Sequence, residues 1–143
     1  MSWEDWEAYY YGDYDRYYQE SEQENNPQKP SHLYLIDGDN HITEATKRIK
    51  LADETDDVRI FVSQDELYKK YTKKNLPHVT VIKVEPGDQA VDNRIKSVLG
   101  NAVKDDYEEV YVISHDKGYD KKIQNYRSKY HKKKDQLDRR ELF

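Results

Sequence analysis

The chain of 143 residues contains no cysteine, which excludes a disulfide frame and any thiolate metal site. No apolar run approaches the roughly 20 residues that a membrane-spanning helix needs. The first residues show no basic-then-apolar leader pattern. A soluble cytoplasmic protein that keeps clear of membranes is the expectation. Residues 1–30 also lack isoleucine, leucine and valine, although they hold six tyrosines and two tryptophans. Such a segment has little with which to build a core. It ends in "ENNPQKP", which reads as a linker. Residues 1–30 are therefore expected to be a disordered acidic tail, followed by one domain over 31–143.

Charge divides the chain in the same place. Residues 1–24 hold eight acids and one arginine, a net of −7. The whole chain stands at −5, which leaves +2 for residues 25–143. The acidic balance thus belongs to the tail, while the domain is nearly neutral.

From residue 31 the apolar pattern becomes regular. "HLYLI", "VRIFV" (58–62), "VTVIKV" (79–84) and "EVYVI" (109–113) have the composition of short buried strands. Between and after them lie helical patterns over 41–52, 64–74, 90–103 and 118–130. In the third, Val91, Ile95, Val98, Leu99 and Val103 face inward. Strands alternating with helices of this length imply right-handed crossovers, a mostly parallel sheet of four to five strands, and a three-layer α/β/α domain. The last 13 residues give no clear strand.

The polar residues then sort by strand end. The first strand runs into Asp37, Gly38, Asp39 and Asn40, and the second into Ser63 and Gln64. After the third come Glu85, Asp88 and Asp92, and after the fourth Ser114, Asp116 and Asp120. In an open parallel sheet ligands bind beyond the carboxyl ends of the strands. A single acid there is often only a helix cap. Three strand ends with two or more acids each point instead to a shared acidic site. Carboxylate and water ligands suit Mg²⁺ or Mn²⁺, which can activate water against a phosphodiester. A single aspartate acting as a phosphoryl-transfer nucleophile beside one Mg²⁺ is the other common use of such a site.

Three segments carry a family resemblance. "LIDGDN", "PGDQAVDNRIKSVLG" and "VYVISHDKGYDKKI" resemble, in order, the opening strand, the central helix and the third motif of PIN-like nucleases, the group that includes PIN and NYN ribonuclease domains. The resemblance spans residues 32 to about 127. It implies a metal-dependent nuclease with Asp37, Asp92, Asp116 and Asp120 as metal ligands, and with Asn40 and Ser114 holding ligands or the attacking water. It points to RNA rather than DNA. Asp39 and Asp88 have no place in the pattern. His41 and His115 are expected to be surface or supporting groups rather than ligands, since neither has metal-binding spacing. "DGDN", Ser63 and "HDKGYD" also resemble the haloacid-dehalogenase-like phosphatases, with Asp37 as nucleophile. That family has threonine or valine where this chain has His41, inserts a flap where a plain helix starts here, and leaves Asp92 unexplained. A non-catalytic PIN-like module that binds nucleic acid or protein is the third reading. Monomer and homo-oligomer stay open.

Residues 117–140 hold ten lysines and arginines against three acids. Lys117, Lys121, Lys122, Arg127 and Lys129 are candidates for contacts to a nucleic-acid backbone. Tyr119, Tyr126 and Tyr130 interleave with them, either stacking on bases or packing. Opposite charge suggests that the acidic tail lies across this basic segment and competes with nucleic acid. Deleting residues 1–28 is then expected to tighten nucleic-acid binding at low salt, measured by fluorescence anisotropy. Unchanged or weaker binding would remove the autoinhibitory contact.

Overall fold

The computed structural model describes residues 30–105 and 107–141. The expectations for the acidic tail fall on residues outside that range. The elements follow in the order β1 (His32–Asp37), α1 (Ile42–Leu51), β2 (Asp56–Val62), α2 (Asp65–Thr72), β3 (Val79–Lys83), α3 (Ala90–Ala102), β4 (Glu109–Ile113), α4 (Gly118–Tyr130) and β5 (Leu137–Arg140).

The strands form one five-stranded sheet in the order β3-β2-β1-β4-β5, and every neighbouring pair is parallel. Alternation along β1 explains why both faces are covered. Leu33 and Leu35 point to one face, where they meet Val91, Ile95 and Leu99 of α3 and Tyr119 and Ile123 of α4. Tyr34 and Ile36 point to the other, with Ala45 of α1 and Tyr71 of α2. A parallel strand buried on both faces reads as an unbroken apolar run, and this is why "LYLI" and "VRIFV" stand out in the sequence. Ile42, at the start of α1, stays exposed at 38%. No helix among the described residues is long and apolar enough to cross a membrane.

The fifth strand is a finding that the sequence pattern did not offer. β5, "LDRR", has a single fully buried residue, Leu137. A strand with one apolar position in four carries no periodic signal. It forms because it sits at the sheet edge. There the backbone pairs with β4 from Val110↔Leu137 to Ile113↔Arg140, and the charged side chains find partners around it. The sheet is thereby complete where a missing edge strand was in question.

Strand order reverses between β1 and β4, because the chain builds outward to β3, returns through α3, and continues on the other side of β1. The carboxyl ends of β1 and β4 are adjacent at this point, and the first turn of α3 comes back to the same edge.

Gly38 fixes the approach of β1 to that edge. Its N–H donates to the Phe61 carbonyl (2.8 Å), and its own carbonyl accepts from the Tyr71 hydroxyl (2.8 Å). A Cβ at this position would lie 2.6 Å from both Ile60 Cγ2 and Val62 Cγ1, and 3.1 Å from the Tyr71 ring. Those neighbours are buried core atoms that cannot step aside cheaply. Gly38→Ala is therefore expected to destabilise the domain by about 1–3 kcal/mol, read from the urea midpoint. A midpoint unchanged from wild type would show that the turn is not held against the core.

Candidate active site

Asp37 ends β1 at 4% exposure. A buried carboxylate needs donors, and Asp39 and Asn40 supply them. Its Oδ1 accepts the backbone N–H groups of Asp39 (3.2 Å) and Asn40 (3.3 Å). Its Oδ2 accepts Asn40 Nδ2 (2.9 Å). Asn40 thus holds the acid through both backbone and side chain, and only a short amide at this spacing can do so.

Asp39 turns the other way. Its carboxylate accepts the N–H (3.0 and 3.2 Å) and the hydroxyl (2.5 Å) of Ser63. It ties the β1 turn to the end of β2 and lies outside the acidic notch. The two residues that would be the second acid and the phosphate-binding serine of a phosphatase are therefore bound to each other.

Asp92 comes from α3. The left-handed backbone of Gln89 (φ 57°) turns the chain into the helix, and Asp92 falls in the first turn, where the helix end favours an acid. The hydroxyl of Tyr119, a fully buried residue, donates to Asp92 Oδ1 (2.9 Å) and lies 3.3 Å from its carbonyl. Burial nevertheless raises the Asp92 pKa, and the Asp116 and Asp37 carboxylates add to the rise against the lowering effect of the Tyr119 bond. The phenol of Tyr119 is pushed far above its usual range, first by burial and then by Asp92. It remains a donor at any working pH.

Asp116 follows β4. The Oγ of Ser114, which is 1% exposed, accepts the Asp116 backbone N–H (3.0 Å). Asp116 Oδ1 accepts the N–H of Gly118 (2.8 Å) at the start of α4. Lys96 Nζ stands 4.0 Å from Asp116 Oδ2.

Asp37, Asn40, Asp92, Ser114, His115 and Asp116 line a single notch of about 330 Å³. Its donor set is three carboxylates with an amide and a hydroxyl, which is oxygen chemistry suited to Mg²⁺ or Mn²⁺. Among the described residues no three acids or histidines converge closely enough to form a closed metal cage. A site that keeps several waters on the ion fits this spacing, and Mg²⁺ prefers such a site.

The other candidates sit elsewhere. Asp120 is exposed and does not line the notch. Arg139 Nε donates to its Oδ1 (2.8 Å), with Arg139 Nη2 3.4 Å from its Oδ2, and this bond is the main cause of its lowered pKa. Lys117, Lys121, Lys122 and Lys129 are exposed along α4. Arg127 is engaged instead. Its guanidinium donates to the Leu137 carbonyl (2.7 Å) and to Asp138 Oδ1 (2.7 Å), pinning α4 to β5.

Three residues that touch the lining of the notch from outside it escape sequence reasoning. Tyr119 looks like one more tyrosine of a basic helix, and nothing local shows that its hydroxyl reaches Asp92. Lys96 had a signal in its spacing, four residues after Asp92 on the same helix face. His41, expected at the surface or in support, is 2% exposed. Its ring lies 4.2 Å from that of His115, and its Nε2 has no hydrogen-bond partner among the described residues.

A family model described as a PIN domain matches residues 31–134. The chain belongs to the PIN domain family. PIN domains are in general nucleases that work with divalent metal ions. The match stops short of β5 but contains every residue of the notch. No curated protein and no solved structure matches the chain.

The raised pKa of Asp92 has a sign that can be checked. A carboxylate whose folded pKa exceeds its unfolded one subtracts stability once it is ionised. The loss is complete above the folded value and absent below the unfolded one. Asp92→Asn carries no such cost. It is expected to raise Tm by a few degrees at pH 7 without divalent ions, and the gain should fade as the pH falls into the ordinary carboxylate range. A lower Tm for the variant at pH 7 would mean that Asp92 is not electrostatically burdened.

Proposed function

We propose that this PIN domain hydrolyses phosphodiester bonds in RNA, with Mg²⁺ or Mn²⁺ held by Asp37, Asp92 and Asp116. One observation carries the reading. Three carboxylates from three separate segments share one notch at the point where strand order reverses, and each accepts hydrogen bonds from neutral donors. A divalent ion at that position would polarise the phosphate and lower the pKa of a bound water.

The chain's own groups do the rest. Asn40 keeps Asp37 aimed at the notch, Tyr119 does so for Asp92, and Ser114 fixes the backbone of Asp116. Lys117, just before α4, and Lys121, Lys122 and Lys129 on it supply a sequence-independent hold on the phosphate backbone. Arg127 is left out of this set because its donors are committed to β5. Asp120 is left out of the ligand set because its carboxylate is committed to Arg139. RNA is preferred over DNA on the family resemblance.

The test is cleavage of end-labelled single-stranded RNA with Mn²⁺ or Mg²⁺. Wild type is expected to cleave. EDTA should abolish the activity, and Asp116→Asn should lower it by at least about 100-fold. Intact RNA with the wild-type chain and either ion would overturn the assignment.

A further inference from the structure

Among the described residues one aromatic ring lines the notch, that of His115, and no function yet uses it. We infer that His115 is a stacking platform for a base of the substrate, so that the strand is gripped beside the phosphate that lies among the acids. The inference rests on the nuclease reading of the notch and names how that site takes hold of RNA.

The placement comes first. His115 stands between Ser114 and Asp116 and lines the same notch as both. Two contacts fix its ring. The ring of His41 lies behind it, at a centroid distance of 4.2 Å and a tilt of 41°. Its Nδ1 donates to Glu141 Oε1 (2.9 Å), and a hydrogen bond at a ring nitrogen lies in the plane of the ring. One face and one edge are thereby taken. His41 is itself buried, so the support behind the ring belongs to the interior of the domain. The His115 side chain is nevertheless 63% exposed. The exposed part is the far face and the remaining edge, at the wall of the notch. A ring that served only to pack would be turned inward, as that of His41 is.

The chemistry comes second. The tyrosines interleaved with the basic helix do not take this role. Tyr119 is fully buried, and Tyr126 and Tyr130 pack against the core. His115 is the ring left at the site. The acids there repel a phosphate until cations intervene, so part of the hold on the strand has to come from uncharged contacts. A stacked base supplies one without adding charge, because every base has a π-face. The splayed bases of single-stranded RNA stack on histidine as they do on other aromatic rings. Lys117, two residues on, is exposed and serves the phosphate backbone. Base and backbone are then held from one short segment, residues 115–117.

A ring that ligated the ion or passed a proton would behave differently. Either role needs a nitrogen, and phenylalanine has none. Stacking needs only the ring, so phenylalanine replaces it and alanine does not. Stacking also strengthens substrate and transition state alike, so its loss raises KM and leaves kcat in place. The experiment compares full-chain wild type, His115→Ala and His115→Phe on a short oligoadenylate and on a ribose-phosphate chain of the same length that lacks bases. Affinity is read by fluorescence anisotropy with Ca²⁺, cleavage by steady-state kinetics with Mn²⁺, and folding by a thermal melt of each variant.

The expected result for His115→Ala is a loss of about 10-fold in affinity for oligoadenylate, the size of one stacked base. KM should rise by a matching factor and kcat stay within about 3-fold of wild type. His115→Phe should stay within about 3-fold of wild type in all three. Removing the bases should cost wild type about 10-fold more affinity than it costs His115→Ala. An alanine variant that binds as wild type does, a phenylalanine variant as weak as alanine, or a base-free chain that costs both equally would each overturn the inference while leaving the nuclease assignment intact. A wild-type chain that binds oligoadenylate but does not cleave it overturns the assignment itself, and the affinity series then decides the stacking on its own. A wild-type chain that does not bind overturns both.

Discussion

Everything at the carboxyl edge of this sheet is organised by mutual repulsion among three carboxylates. Burial raises the pKa of Asp92, and Asp116 and Asp37 stand close enough to add to the rise. A fold could relieve that repulsion with a tight salt bridge, which would spend the acids. Here they are instead held by groups that carry no net charge: the amide of Asn40, the phenol of Tyr119, and the backbone N–H groups of Asn40 and Gly118. Neutral donors fix the direction of a carboxylate and leave its charge available. The tight ion pair in this neighbourhood, Asp120 with Arg139, lies beside the notch and not in it.

The topology makes this concentration of charge affordable. Because β1 and β4 are neighbours although three helices separate them in sequence, two strand ends and one helix start meet without a long loop. Asp37 and Asp92 stand on rigid elements, and Asp116 lies in the short connection between two others. β1 is buried on both faces up to Asp37, α3 is anchored through Val91, Ile95 and Leu99, and α4 through Tyr119 and Ile123. Rigid support matters for a site whose chemistry depends on placing oxygens around an ion. Gly38 serves the same end, since only a residue without a side chain lets the turn after Asp37 lie flat on Ile60, Val62 and Tyr71.

The layout of the strands and helices was legible because it depends on local signals. "LYLI" and "VRIFV" declare buried strands, and acids directly after them must emerge at the same edge of a parallel sheet. What was not legible depends on partners far away in sequence. Asp120 looks as good a ligand as Asp116 until Arg139, 19 residues on, is seen to hold it. Arg127 looks like a phosphate contact until β5 takes its donors. Tyr119 and Tyr126 are the same residue type on the same helix, yet only Tyr119 is fully buried, and it reaches Asp92 through its hydroxyl. β5 itself is defined by the backbone of β4 and by ion pairs to α4, and neither leaves a periodic trace. Sequence patterns report which face a residue occupies. They do not report which of several polar neighbours it will choose there.

Arg139 joins the sheet edge to the notch in a further way. Besides holding Asp120, its Nη1 donates to the Ser114 carbonyl (2.9 Å), while the Ser114 N–H donates to the Arg140 carbonyl (3.0 Å). The outermost strand therefore sets both the posture of Ser114 and the number of free carboxylates beside the site. Were β5 to detach, Asp120 would lose its Arg139 partner and Ser114 its two hydrogen bonds to the strand at once. Attachment of the edge strand and the charge beside the notch are one coupled quantity.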